Sequence, residues 1–173
     1  LHELVRDMAI RTYGAEHFET LSACAALGEA YQVAGRYRDA VRLLEPAARE
    51  FERRLGIADD RTLVSLANLA DAYRDNGQWP AAIALLERIR DVRLRVSGPS
   101  DPNTVATLVL LARAYNSAER YADAIPLLEQ AREQRLKTHG HTSPEVFVIA
   151  NDLAVAYSRS RLADATRLQE QVR

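Results

Sequence analysis

Apolar positions recur along this chain with the spacing of a helix face, and the helices recur with a period of their own. In the stretch Leu66–Trp79 (LANLADAYRDNGQW), Leu66, Leu69 and Tyr73 fall three and four residues apart, on one side of a helix. Leu27, Leu69, Leu111 and Leu153 stand 42 residues apart, as do Ala30, Ala72, Ala114 and Ala156, and Tyr31, Tyr73, Tyr115 and Tyr157. Each of the first three tyrosines is followed by a short polar break, an aromatic (Tyr37, Trp79, Tyr121), an alanine (Ala40, Ala82, Ala124) and paired leucines at 43/44, 85/86 and 127/128. No segment alternates with the period of a strand. The pattern predicts an all-α chain of repeated helix pairs, each pair burying its apolar faces on its neighbours.

Punctuation residues set the boundaries. Gly14, Gly56, Gly98 and Gly140 each follow a segment ending in basic residues, as the C-terminus of a helix should. Ser100-Asp101-Pro102 and Thr142-Ser143-Pro144 place a capping side chain directly before a proline in the first helical turn. First helices (A) are expected near 18–34, 60–76, 102–118 and 144–159, and second helices (B) near 1–13, 37–55, 79–97, 121–138 and 162–172. In repeat units this reads as 1–14 (the second helix of a truncated repeat), 15–56, 57–98 and 99–140 (full repeats) and 141–173 (a last, shortened repeat, with Leu162 in the place of Tyr121). A start in mid-repeat is expected of a fragment of a longer array. Pro46, deep inside a predicted B helix, should kink it.

Leu27-Gly28-Glu29-Ala30-Tyr31, Leu69-Ala70-Asp71-Ala72-Tyr73, Leu111-Ala112-Arg113-Ala114-Tyr115 and Leu153-Ala154-Val155-Ala156-Tyr157, followed in the first three copies by an aromatic and Ala-x-x-Leu-Leu-Glu, resemble the tetratricopeptide repeat pattern. The 42-residue period and the linker Gly98-Pro99-Ser100-Asp101-Pro102 are similar to the longer repeats of kinesin light chain and of many bacterial signalling proteins. The resemblance implies a right-handed α-solenoid of antiparallel helix pairs that binds a peptide or protein segment in a concave groove lined by the A helices. It leaves a second class open: a regulatory or sensor arm of a larger signalling protein, such as a nucleotide-dependent switch. The residue Gly28/Ala70/Ala112/Ala154 on helix A should face Ala40/Ala82/Ala124/Ala165 on helix B, so that the helices approach closely.

Composition narrows the partners. A formal net charge of -1 gives no basic stripe for a phosphate backbone, so nucleic acid is not expected. There is no apolar run of membrane-spanning length, and one cysteine, Cys24, fits a reducing compartment, so a cytoplasmic protein without membrane contact is expected. Arginine far outnumbers lysine (Lys137 alone), which reads as a GC-rich, bacterial genome. Cys24 takes the place of Leu66 and Leu108 and reads as a small buried hydrophobe. His139, His141 and Glu145 could be drawn as metal ligands, but in a linker they read as solvated residues. With no phosphate loop and no nucleophile in a catalytic pattern, neither an enzyme nor a cofactor is expected.

If the core takes Leu27, Ala30, Tyr31 and their equivalents, the opposite stripe of helix A faces the groove. It comprises Ser22, Ala26, Glu29 and Val33, then Val64, Asn68, Asp71 and Asp75, then Ala106, Leu110, Arg113 and Ser117, then Val148, Asp152, Val155 and Arg159, with Gln32, Arg74, Asn116 and Ser158 at its edge. The candidate peptide-binding residues are Glu29, Asn68, Asp71, Arg74, Arg113, Asn116, Asp152 and Arg159. By resemblance, Asn68 holds the place of an asparagine that hydrogen-bonds a bound peptide's backbone. The stripe passes from acidic in the first two copies to more basic in the last two, predicting an extended partner segment whose basic part lies near Glu29 and Asp71 and whose acidic part lies near Arg113 and Arg159. Apolar ends of the array would offer surfaces for self-association.

Overall fold

The computed structural model describes residues 1–140 and 143–171, with side chains through residue 162. The described residues form eight α-helices and no strand: α1 His2–Tyr13, α2 Phe18–Val33, α3 Tyr37–Leu55, α4 Asp60–Asp75, α5 Trp79–Val96, α6 Pro102–Ser117, α7 Tyr121–His139 and α8 Pro144–Gln171. The expected starts at 18, 60, 102 and 144 and at 37, 79 and 121 all hold. Aspartate sets two of them. Asp59 accepts a hydrogen bond from the Arg61 amide (2.9 Å), and Asp101 from the amides of Asn103 (3.0 Å) and Thr104 (2.9 Å), which satisfies donors that the first turn leaves orphaned.

One expectation fails. No turn separates an A helix from a B helix in the last copy, because α8 runs unbroken from Pro144 to Gln171. In the earlier copies the chain reverses through a residue of positive φ: Gly35 (71°), Gly77 (76°) and Glu119 (59°). Arg161 holds that place in the fourth copy, and neither it nor Ser158, Arg159, Ser160 or Leu162 interrupts a helix, so the ladder simply continues. The separate helix expected at 162–172 is therefore the end of α8.

The chain forms two compact units, Leu1–Val92 and Arg93–Arg173. In the first, α1 packs on α2, α2 on α3, α3 on α4, and the two A-type helices α2 and α4 touch. Leu27, Leu44, Leu63 and Leu69 are buried between them, each contributing roughly 1.5–3 kcal/mol by leaving water. Helix α3 passes through Pro46, which is exposed on its outer side. The small residue expected at the A–B contact is needed, since a Cβ built on Gly28 would meet Leu44 at 2.7 Å. In the second unit α6 packs on α7, α7 on α8, and α6 touches α8, burying Leu108, Leu111, Leu128 and Ile149. Ala112 and Ala124 are fully buried there as expected, whereas Ala154 is exposed: α8 continues without a turn, so no separate B helix follows to cover it.

The repeat tyrosines tie consecutive helices together. Tyr31, Tyr73 and Tyr157 donate through their hydroxyls to Glu3 (2.7 Å), Glu45 (2.5 Å) and Glu129 (2.5 Å), in each case a carboxylate 28 residues earlier on the preceding helix B. Burial, aided by the Glu45 hydrogen bond, pushes the Tyr73 hydroxyl up to about 12. Tyr157, counted among the core residues from its spacing, is exposed on α8 beyond this bond.

Candidate functional site

With Leu27, Leu69, Leu111 and Leu153 turned inward, the opposite face of each A helix reaches the surface. Ser22, Ala26, Glu29 and Val33 on α2 are exposed, as are Val64 on α4 and Val148, Val155 and Arg159 on α8, while the remaining members of the stripe are half-buried. The predicted stripe is accessible in every copy.

Two grooves open along it, one within each compact unit. The groove between α2 and α4, about 440 Å³, has an apolar floor of Phe18, Ala25, Ala26, Phe51 and Val64, with Glu29, Asp60, Arg61 and Asn68 around it. The groove between α6 and α8, about 400 Å³, is floored by Ala106, Val109, Leu110, Val148 and Ile149, with Arg113, Arg135 and Glu145 at its edge. Both arise from the same positions two repeats apart: Ala26 corresponds to Leu110, Glu29 to Arg113, Arg61 to Glu145 and Val64 to Val148.

Pairing along the stripe follows helix adjacency. Asn68 donates to Glu29 at 3.1 Å and Arg113 to Asp152 at 2.7 Å; both pairs are separated by 39 residues, the offset that sets neighbouring A helices side by side. Arg74 pairs with Asp71 (2.7 Å) and Asp75 (2.8 Å), and Gln32 donates to Asp75 at 3.2 Å. The Asn116 Oδ1 is buried without a hydrogen-bond partner among the described residues, and Arg159 is exposed. Six of the eight candidate residues thus engage one another: Glu29 with Asn68, Asp71 with Arg74, Arg113 with Asp152.

These pairings correct the expected division of charge. Arg113 is held by Asp152, and Arg135, which sequence reasoning left out, pairs with Glu145 at 3.0 Å, so the second groove is charge-compensated and not a free basic patch. Glu145 is thereby engaged with an arginine, and His141 lies outside the described residues. In the first groove Arg61 is committed to Asp59, whose carboxyl it holds below the ordinary range, and Glu29 and Asp60 have no cationic partner among the described residues.

Ser65 was also missed. It lines the first groove, is 3% exposed, and its Oγ has no hydrogen-bond partner among the described residues. A signal existed, since its equivalents two repeats on and one repeat on are Ile149 and Thr107, so a small hydroxyl stands where the second groove has an apolar chain. Cys24 is half-buried against Leu21, Ala47 and Phe51, and burial pushes its thiol up, as befits a packing residue.

Comparison with known proteins supports the helical-repeat reading. Models described as tetratricopeptide repeat match residues 60–136 and 109–173, together more than half of the chain, and another of the same description matches 20–60. No curated protein matches. Among solved structures, the nearly identical tetratricopeptide-like repeats named for a kinesin light chain of Podosopora anserina are 31% identical over 99% of this chain and 82% of that one, with a TM-score of 0.77. A single-substitution variant of the same repeats gives 31% identity, 99% and 81% coverage and a TM-score of 0.79. BtubC (BKLC) from P. vanneervenii, 18% identical over 98% of this chain and 73% of its own with a TM-score of 0.70, shares the fold.

Proposed function

The chain belongs to the tetratricopeptide repeat family, and on that premise we propose that it is a non-catalytic interaction module that holds an extended segment of a protein partner against its A helices. The observation that carries this reading is the exposed stripe itself. In each unit it forms an apolar groove rimmed by polar side chains, the arrangement by which a main chain is oriented and an apolar anchor desolvated. Asn68 and Arg113 sit at the rims, with donors that a partner's carbonyl or carboxylate would share with Glu29 and Asp152. No helix among the described residues is long and apolar enough to cross a membrane.

The test is photo-crosslinking from Val64 and Val148 in the full-length protein, followed by mapping of the captured segment. A segment from another protein fits a scaffold; one from the same polypeptide fits a regulatory arm. Asn68→Ala and Arg113→Glu should each weaken capture by on the order of 1–3 kcal/mol while leaving helicity intact. Wild-type affinity in both variants would refute the groove reading.

A further inference from the structure

The two grooves share one architecture and differ in their unsatisfied chemistry, and the difference names a ligand class for the first. Around the groove of the second unit every charge is matched, Arg113 by Asp152 and Arg135 by Glu145, and Ile149 fills the place of Ser65. The groove between α2 and α4 has a deficit. Its lining residues Glu29 and Asp60 have no cationic partner among the described residues, Arg61 in its lining is neutralised by Asp59, and the Glu29 carboxylate accepts from the neutral amide of Asn68. Below that negative rim is the buried, unpartnered Oγ of Ser65, beside an apolar floor that includes Phe18 and Val64. A ligand that only buried an apolar side chain would leave the carboxylates unmatched, and an acidic one would be repelled by them.

We propose that the α2–α4 groove takes a segment of a protein partner in which an apolar side chain is flanked by lysine or arginine. The apolar chain occupies the floor, the flanking cations meet Glu29 and Asp60, and a main-chain or side-chain polar group of the ligand satisfies Ser65. This rests on the groove reading given above and adds the charge class of the ligand.

Three labelled synthetic peptides of equal length, with a central leucine flanked by lysines, by serines or by glutamates, test it by fluorescence anisotropy against the full chain. The lysine peptide should bind about tenfold or more tightly than the serine peptide, and the glutamate peptide weakest. The lysine advantage should shrink as salt rises from about 0.05 to 0.5 M, where screening shortens from about 14 to 4 Å. Glu29→Gln with Asp60→Asn should bring the affinity ratio of the lysine to the serine peptide down to about one, and a ratio unchanged from wild type would overturn the charge assignment. Val64→Asp, at a half-exposed position outside the core, should reduce binding of the serine peptide severalfold. Preference for the glutamate peptide that still depends on Val64 would overturn the charge class and leave the groove reading standing. Lysine-peptide binding indifferent to Val64→Asp and to the Glu29 and Asp60 replacements would overturn both. Failure of all three peptides to bind overturns the proposal, with the crosslinking of the intact protein deciding the groove reading separately.

Discussion

Replacing Gly28 by alanine sets two effects of opposite sign against each other, and the structure decides which wins. Gly28 lies inside α2, where alanine is favoured over glycine by roughly 0.5–1 kcal/mol because it leaves less backbone freedom to lose on folding. The new Cβ, however, would stand 2.7 Å from both Cγ and Cδ2 of Leu44 and 3.0 Å from Cδ1, where carbon atoms settle at about 3.5–4.0 Å. Leu44 is 0% exposed and has no free side to move toward, so relief requires α2 and α3 to separate or Leu44 to leave its rotamer, at about 1–3 kcal/mol. Alanine should therefore destabilise by about 1–2 kcal/mol despite its better propensity. A four-member urea-unfolding set followed by far-UV circular dichroism separates the terms: wild type, Gly28→Ala, Leu44→Ala and the double variant. Leu44→Ala alone should cost about 2–5 kcal/mol. In that background Gly28→Ala should change sign and stabilise by about 0.5–1 kcal/mol, because the clashing atoms are gone. A Gly28→Ala variant more stable than wild type would refute the steric account.

Two further outcomes follow from the helices. Pro46→Ala should stabilise the chain by up to about 3 kcal/mol, since it restores a donor to the Arg42 carbonyl from an exposed position, and an unchanged or lower urea midpoint would contradict this. Tyr73, pushed from 10.0 up to about 12, should contribute stability that is fully present below pH 10 and is lost as pH rises through about 12. Titration followed by absorbance at 295 nm should show a late-ionising tyrosine that disappears in Tyr73→Phe, and a single unperturbed step for all tyrosines would rule the assignment out.

The sequence made the helices legible because two periodicities agreed. The spacing of three and four residues fixed which face of each helix is buried, and the 42-residue register copied the firm boundary at Asp101-Pro102 onto weaker ones, such as Asp59-Asp60. The accessible stripe followed by subtraction. The state of its charges did not, because Arg113 is paired by a residue 39 positions away, and that offset emerges only once neighbouring A helices are seen side by side. Ser65 escaped notice because an orphaned hydroxyl is defined by what fails to surround it, and α8 because the expectation of a turn was carried over from copies that own a residue of positive φ, which Arg161 does not supply.

The tyrosine–glutamate bonds bear on how an array of this kind can change its length. Glu3, Glu45, Glu87 and Glu129 share one register, as do Tyr31, Tyr73, Tyr115 and Tyr157. The bonds formed by Tyr31, Tyr73 and Tyr157 join helix B of one copy to helix A of the next, so the interacting pair straddles the glycine that ends each sequence repeat. An excision or duplication of 42 residues, wherever its endpoints fall, delivers a tyrosine to a glutamate again, whereas a change of 41 or 43 between the two partners turns the hydroxyl about a hundred degrees around its helix and strands it. Recombination between copies would thus be tolerated in whole steps and resisted in fractions, with the hydrogen bonds of Tyr31, Tyr73 and Tyr157 acting as the gauge.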